Sequence, residues 1–465
     1  MIKLYNILFR KKQIFKPIHN KQVGLYTCGP TVYDFVHIGN LRTYIFEDIL
    51  RKTLKYNNYK IKHIMNITDV EDKIIKRAKK ENKNIKEITE FFTDLFFKDI
   101  KKLNIEKAEF YPRATKHIKE MIVLIETLIK KGFAYQGKDK SIYFDISKFK
   151  NYGKLSQLKK RKIKTGARIV ADEYNKDEAQ DFVLWKAKKG DEPFWQSPFG
   201  KGRPGWHIEC SAMAMKYLGK TFDIHCGAVD LIFPHHENEI AQSEAATGKK
   251  FVNYWIEGEH LLVDNKKMSK SLNNFYTLRD LENKNFNPLA FRYLILTSHY
   301  RSKLNFSWKS LEAAQNALNN LYNEIKQINI DKTKTNTNKK TSLNIQKQYK
   351  SKFLSAINDD LNTAKTISIV WQIIKDKKLI NKEKKQLLTE FDKILSLGLN
   401  KVKTIKIPPQ IKALASKREK LRVNKQFIQA DRLRKKLEQL GYLIEDTPQG
   451  PKVMRNSKFQ NPNSQ

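Results

Sequence analysis

The spacing of apolar residues changes along this chain, and the changes divide it. Val23, Leu25 and Tyr26 make a short apolar run of the length of a buried strand. Beyond it, Leu41, Ile45, Phe46, Ile49, Leu50 and Leu54 recur at three- and four-residue steps, which predicts a helix. Gly29-Pro30 breaks the strand between them. Residues 59–68 read as a second strand and 69–80 as the next helix, and this alternation implies a parallel sheet. From 112 the pattern differs. A helix over 117–131 precedes a strand-like run at 141–145, and a charged, turn-rich passage then leads to Gly202-Arg203-Pro204-Gly205.

The alternation resumes with a helix over 208–218, a strand at 222–225 and a helix over 234–247 that Gly248 closes as a C-cap. Residues 254–263 read as a strand, Asp264-Asn265 as a turn, and a Lys-rich loop follows. From 288 the chain is mostly helical, with a polar tract at 331–344 that reads as a solvated connection. After Pro408-Pro409 comes a compact basic unit. Its first helix carries Lys417, Arg418, Lys420, Arg422 and Lys425 in a row expected to face phosphate. A helix over 430–440, a strand at 442–446 and a Pro448-Gln449-Gly450 turn complete it, with a disordered tail expected after Val453.

Composition narrows the class. No apolar run in the 465 residues approaches the roughly 18 residues of a membrane span, so no membrane is expected. The N-terminus lacks a signal-peptide pattern. Three cysteines in so long a chain make no disulfide framework. A reducing, cytoplasmic setting is expected, with the cysteines as free thiols or metal ligands. Ninety Lys and Arg against 49 Asp and Glu give a net charge of +41, which suits a polyanionic partner. Lys, Asn and Ile are abundant everywhere, however, as an AT-rich genome would make them, and the charge alone identifies nothing.

The first strand, its glycine-bearing loop and the helix after it form a unit with chemical consequences. A helix N-terminus offers free N–H groups and a positive dipole end to an anion. His37 and Asn40 stand there and can both donate. Cys28 and Thr68 end their strands on the edge where open α/β sheets bind ligands. Elsewhere, His235 and Glu239 are four apart on a helix and share a face, and Cys210 heads a neighbouring helix. Two thiolates, one imidazole and one carboxylate suit zinc. By residue type, His225, Cys226, His236 and Glu237 are equally eligible.

Four motifs in order settle the comparison: His37-Ile38-Gly39-Asn40, Gly205-Trp206-His207-Ile208-Glu209-Cys210-Ser211-Ala212-Met213, Phe233-Pro234-His235-His236-Glu237-Asn238-Glu239 and Lys267-Met268-Ser269-Lys270-Ser271. The chain resembles, over nearly its whole length, the cysteine-specific class I aminoacyl-tRNA synthetases. The resemblance implies an α/β, Rossmann-like parallel-sheet catalytic domain with an insertion, then a helical bundle and a small mixed α/β C-terminal domain. The expected segments are 1–111 and 205–250 for the two halves of the catalytic fold, 112–204 for the connective insertion, 251–310 for the loop-bearing linker, 311–407 for the bundle and 408–465 for the anticodon-binding unit with its tail.

The same resemblance implies roles. Zinc, one per chain, would be held by Cys28, Cys210, His235 and Glu239. Gly29, Thr68 and Trp206 would surround the substrate cysteine. ATP with Mg²⁺ would meet Thr31, His37, Gly39, Asn40, Gly227 and Asp230, with His37, Asn40, Lys267 and Lys270 serving catalysis. Phe427 and Asp446 align loosely with positions that contact tRNA. The expected partners are the tRNA for cysteine, ATP and L-cysteine, and the expected state is a monomer. Cys226 departs from the family, which commonly has glycine there; a tolerated packing residue and a narrowed pocket are the two readings. A ligase joining cysteine to a small amine lacks an anticodon unit, and a zinc-stabilised nucleic-acid binder leaves the two signature motifs unexplained.

Overall fold

A parallel sheet of four strands carries the nucleotide-binding fold. In chain order its elements are β1 (Gln22–Thr27), α1 (Ile38–Tyr56), β2 (Lys60–Met65), α2 (Trp206–Leu218), β3 (Phe222–Ala228), α3 (Glu237–Thr247) and β4 (Val252–Gly258). The spatial order is β4-β3-β1-β2. The winding therefore reverses between β1 and β3, and a crevice opens beyond their carboxyl ends. The computed structural model describes residues 1–158, 163–169, 179–268, 272, 274–330, 339–402, 407–447 and 450–455. The chain divides into two units, Met1–Tyr322 with Lys334–Asn400, and Asn323–Thr333 with Lys401–Gln465.

The strand expected over 254–263 is two strands. β4 belongs to the parallel sheet, so the catalytic fold continues past residue 250 to Gly258. Leu261–Val263 pairs instead with Lys266–Lys267 and Leu304–Phe306. The break falls at Glu259-His260, where the backbone turns to bond the 300–304 segment: Glu259 N donates to Tyr300 O at 2.8 Å and Leu304 N to His260 O at 3.4 Å.

Helix α1 buries its predicted apolar stripe and most of its polar face too, including Arg42, Glu47, Asp48 and Arg51. The outer face is covered by helices Pro288–Leu296 and Asn381–Leu395. Asp48 accepts from Arg292 at 2.6 Å and from Lys52 at 2.7 Å. Arg292 also donates to Leu395 O at 2.7 Å and Leu103 O at 3.0 Å, so one buried guanidinium ties α1 to the bundle. The helices of 339–395 accordingly cluster with the catalytic fold in the first unit.

The insertion holds a sheet where turns were expected. Its strands are Ala134–Gln136, Ile142–Phe144, Ile163–Ile169, Ala179–Ala187 and Gly202–Pro204. In the strand Ala179–Ala187, Asp181 through Lys186 are all buried. The charged pair at its ends hides the strand from a hydropathy reading. Asp181 accepts from Tyr135 Oη at 2.8 Å and Ile146 N at 3.1 Å, and Lys186 pairs with Asp72 at 2.9 Å. Of the polar tract at 331–344, residues 331–338 lie outside the described residues, and the rest begins helix Lys339–Asn358.

The second unit contains α4 (Pro409–Val423), α5 (Phe427–Gln439), β5 (Tyr442–Thr447) and β6 (Gly450–Arg455) around Ile411, Ala415, Leu437 and Ile444. The tail was expected to begin after Val453, but Met454 and Arg455 pair with Leu443 and Tyr442. Pro448 and Gln449 of the expected turn are outside the described residues. In the basic row of α4, Arg418 turns inward, 2% exposed, and binds the Asp446 carboxylate. Lys417 and Lys420 stay exposed on α4; Lys425, expected on the same helix, is exposed but lies past its end at Val423.

Arg292→Met should destabilise the first unit by about 3–5 kcal/mol, because it strands the buried Asp48 carboxylate. Urea unfolding of the variant beside wild type measures this, and a loss under about 1 kcal/mol would show that Lys52 alone satisfies Asp48.

Candidate active site and metal centre

The loops beyond β1 and β2 are zipped together. Thr68 N donates to Pro30 O at 3.1 Å and Val32 N to Thr68 O at 3.2 Å. Gly29 N donates to Asn66 Oδ1 at 2.9 Å. A Cβ at Gly29 would stand 1.8 Å from Asn66 O, so only glycine permits this approach. Thr68 Oγ1 is bonded between Asn66 Nδ2 and Glu209 Oε2, both at 3.2 Å. These contacts form the floor of a cleft of about 1460 Å³, counting its solvent-open mouth.

The cleft is lined by Cys28, Gly29, Thr31, His37, Gly39, Asn40, Thr68, Trp206, Cys210, Gly227, Asp230, His235 and Lys267, all named from the sequence. Glu239 stands behind its wall, with no exposed surface. Ser269, Lys270, Ser271 and Asn273 are outside the described residues, so the second lysine of the loop is not placed. Phe427 and Asp446 belong to the second unit. There Phe427 is 59% exposed, and Asp446 also pairs with Arg422 at 2.7 Å. Tyr33, His260, Met268 and Phe275 also line the cleft and were not anticipated, since only the folded loops bring them there.

The His37 turn touches the segment just after the lysine motif. Ile38 N donates to Tyr276 O at 2.9 Å, and His37 bridges Thr277 across an antiparallel pair. The His37 ring meets Phe275 edge-on at 5.0 Å. His37 is also the N-cap of α1, and its Nδ1 accepts from Asn40 N at 3.3 Å. Leu41 N reaches His37 O at 3.1 Å. The expected anion site of open backbone amides is thus largely closed: Ile38, Asn40 and Leu41 have partners. What faces the cleft here is chiefly side chains.

At the far end, donor atoms of Cys28, Cys210, His235 and Glu239 lie within 4.8 Å of one another. His235 Nε2 and Glu239 Oε1 are 3.1 Å apart, both buried, in a geometry that makes no hydrogen bond. Two buried donors turned on shared space beside two thiols fit a soft divalent cation. His207 Nδ1 lies 2.9 Å from His235 Nδ1, which leaves Nε2 for the cluster. The Cys210 thiol is pulled down to about 6 by its hydrogen bond with Cys28 and by His235, while Cys28 is pushed up. Against the cost of burial, Cys210 and Glu239 hold the His235 imidazole up at about 10. Although burial opposes it, His225 and His235 hold the Glu239 carboxyl below its usual range. The Trp206 ring covers His235 at 4.2 Å.

A second group, Cys28 with His225, His236 and Glu239, meets the same distance criterion. It shares two members with the first, and His225 and His236 do not line the cleft. Cys226 is wholly buried and outside the lining; burial pushes its thiol up, with Glu47 and Glu257 adding to this. The packing reading of Cys226 therefore holds, and the feared narrowing is absent. Alternation along β3 places it on the opposite face from His225.

Comparison with known proteins agrees with this geometry. The family described as tRNA synthetases class I (C) catalytic domain matches residues 14–316. A cysteine–tRNA ligase of Protochlamydia amoebophila is 45% identical over 98% of this chain and 98% of its own length. One from Chlamydia felis is 47% identical over 97% of each. Among solved structures, a Mycobacterium tuberculosis methionyl-tRNA synthetase in complex with methionyl-adenylate superimposes with a TM-score of 0.60 at 12% identity. It covers 82% of this chain and 93% of its own, a likeness of fold.

Iodoacetamide on the folded chain should modify Cys28, which is half-buried at the cleft, and leave Cys226 unmodified until denaturant is added. Peptide mass mapping reads this out; early labelling of Cys226 would contradict its buried placement.

Proposed function

The chain belongs to the cysteine–tRNA ligases of the class I tRNA synthetases, and on that premise we propose that it joins L-cysteine to its tRNA through a cysteinyl-adenylate, reading the thiol with zinc. The observation that supports this most is the meeting, in one cleft, of the His37–Asn40 turn, Lys267 and the thiol cluster. In the first step a cysteine carboxylate oxygen attacks the α-phosphorus of ATP, the bond to the β-phosphate oxygen breaks, and pyrophosphate leaves. In the second, a terminal ribose hydroxyl of the tRNA attacks the acyl carbon and AMP departs. No protein nucleophile is required.

His37, capped at Nδ1, carries its proton on Nε2 and can donate to phosphate. Asn40, Thr31 and Gly39 line the same end, and Lys267, Lys270 and Mg²⁺ offset the charge that builds on the leaving pyrophosphate. Gly227 and Asp230 bound the adenosine. Thr68, Gly29 and Trp206 shape the amino-acid end. Cys28, Cys210, His235 and Glu239 would hold zinc, which supplies a preference for soft thiolate over hydroxyl. Shape alone rejects a near-isostere such as serine by only about a hundredfold. In the C-terminal unit, exposed Phe427 offers a stacking face for a base and Lys417, Lys420 and Lys425 offer charge to phosphate, while Asp446 orients Arg418 and Arg422.

ATP–pyrophosphate exchange tests the reading: it should require cysteine, and serine should not replace it. Purified protein should hold one zinc per chain, lost in Cys210→Ser and kept in Cys226→Gly. Undiminished zinc in Cys210→Ser would refute the ligand set.

Ending the chain at Val402 removes most of the second unit. Exchange should stay near wild type while tRNA charging falls steeply, because remote contacts position the acceptor end. Charging by the intact chain should weaken with salt, as phosphate contacts require. Equal loss of both reactions in a folded truncation would refute the anticodon reading.

A further inference from the structure

Between His235 and Glu239 the chain carries contacts that the reaction above leaves unused. Glu237 and Asn238 have no exposed surface, and both bond the insertion. Glu237 Oε1 accepts from Gly153 N at 2.9 Å. Its Oε2 accepts from Ser156 N and Ser156 Oγ, both at 2.8 Å. Asn238 Oδ1 accepts from Tyr152 Oη at 2.5 Å. The 152–156 loop is shaped to present these donors. Gly153 has a φ of 86°, where glycine is favoured, and Leu158 N closes the turn on Gly153 O at 2.9 Å. Arg10 donates to Leu155 O at 2.8 Å. Leu155 and Leu158 are buried in the core cluster that holds Phe233 and Ile240. The turn they meet needs such support. Phe233 departs from helical backbone within Ile232–His236, and no side chain caps α3 at His236. Helix geometry alone therefore does not fix how His235 meets the cluster.

We propose that Glu237 is a positioning residue for the metal ligands: it clamps the 152–156 loop of the insertion to the turn that carries His235 and the helix start that carries Glu239, so that loop docking and metal affinity are coupled. The inference rests on the zinc reading above. If the loop leaves, the buried Glu237 carboxyl loses three donors, and a buried acceptor without its donors is costly. Loop and turn therefore stay together or shift together. The coupling runs both ways. A docked loop holds the two ligands in register, and a metal that fixes the ligands holds the loop. Outer partners of this kind set metal affinity by orienting the ligands. Tyr152, Gly153, Ser156, Glu237 and Asn238 are all absent from the cleft lining, so the clamp acts on the cysteine end through the ligands and leaves ATP alone.

The test uses the full chain with and without zinc. Hydrogen exchange of the Gly153 and Ser156 amides should slow by about 5–150-fold on zinc binding, the range of a coupling between two sites. The amide of Leu397, which donates to Asp392 Oδ1 at 2.7 Å in the bundle, should exchange alike in both. In competition with a chelator, Glu237→Ala should bind zinc about 10–100-fold more weakly. Saturated with zinc, it should show a raised KM for cysteine in pyrophosphate exchange and an unchanged KM for ATP. Glu237→Gln keeps an acceptor oxygen for Ser156 and should fall between Glu237→Ala and wild type. Exchange at Gly153 and Ser156 that ignores zinc, or slows no more than at Leu397, overturns the inference and leaves the zinc reading standing. So does wild-type zinc affinity in a folded Glu237→Ala. A wild-type chain that takes up no zinc overturns the zinc reading, and this inference with it. If Glu237→Ala does not fold, Ser156→Ala decides: weaker zinc binding supports the clamp, and unchanged binding overturns it.

Discussion

Buried donors need something positive to share, and this requirement organises the catalytic unit. Cys28 follows β1, Cys210 lies on α2, His235 on the turn before α3 and Glu239 on α3; Cys28 is half-buried at the cleft and the other three are buried. In the structure the raised His235 imidazole is the positive partner of Cys210 and Glu239, and a soft cation would take that place among the same donors. The parallel sheet solves the geometric half of the problem. Its winding reverses between β1 and β3, so segments distant in sequence meet at one edge. The cluster solves the electrostatic half with two thiols, one of them pulled down to about 6 by the other.

That requirement also explains the support around the cluster. Two imidazoles near it have a partner that settles their orientation: His207 for His235 and Glu239 for His225. Gly29 and Gly227 are the positions where a missing Cβ lets backbone or ring come close enough. The site is thus specified by its surroundings as much as by its ligands.

Much of this was legible in the sequence. The 3.6-residue period of α1, the strand before it and the Gly248 cap all appear where the spacing put them. The chemistry was legible wherever it sat in a contiguous motif, as with His37 to Asn40. What escaped was what depends on packing between distant segments. The period of α1 says one buried face, but a bundle helix carrying Arg292 covers the other. The strand at Ala179–Ala187 hid behind Asp181 and Lys186, whose buried charges have partners outside their own strand. The inward turn of Arg418 could not be read from a row of basic residues, because its partner Asp446 lies on a later hairpin. Residue type alone left His225 and His236 equal to His235; only the fold separates them into a layer behind the cleft.

The capping of α1 bears on when the enzyme holds phosphate. A nest of open amides is permanent: it grips any anion that arrives, including free phosphate. Here the amides of Ile38, Asn40 and Leu41 are already engaged, two of them by His37 and one by Tyr276. Grip must then come from side chains that face the cleft, such as those of His37 and Lys267. Free phosphate finds few open amides at this turn, so a ligand that also fills the rest of the cleft is favoured over a bare anion.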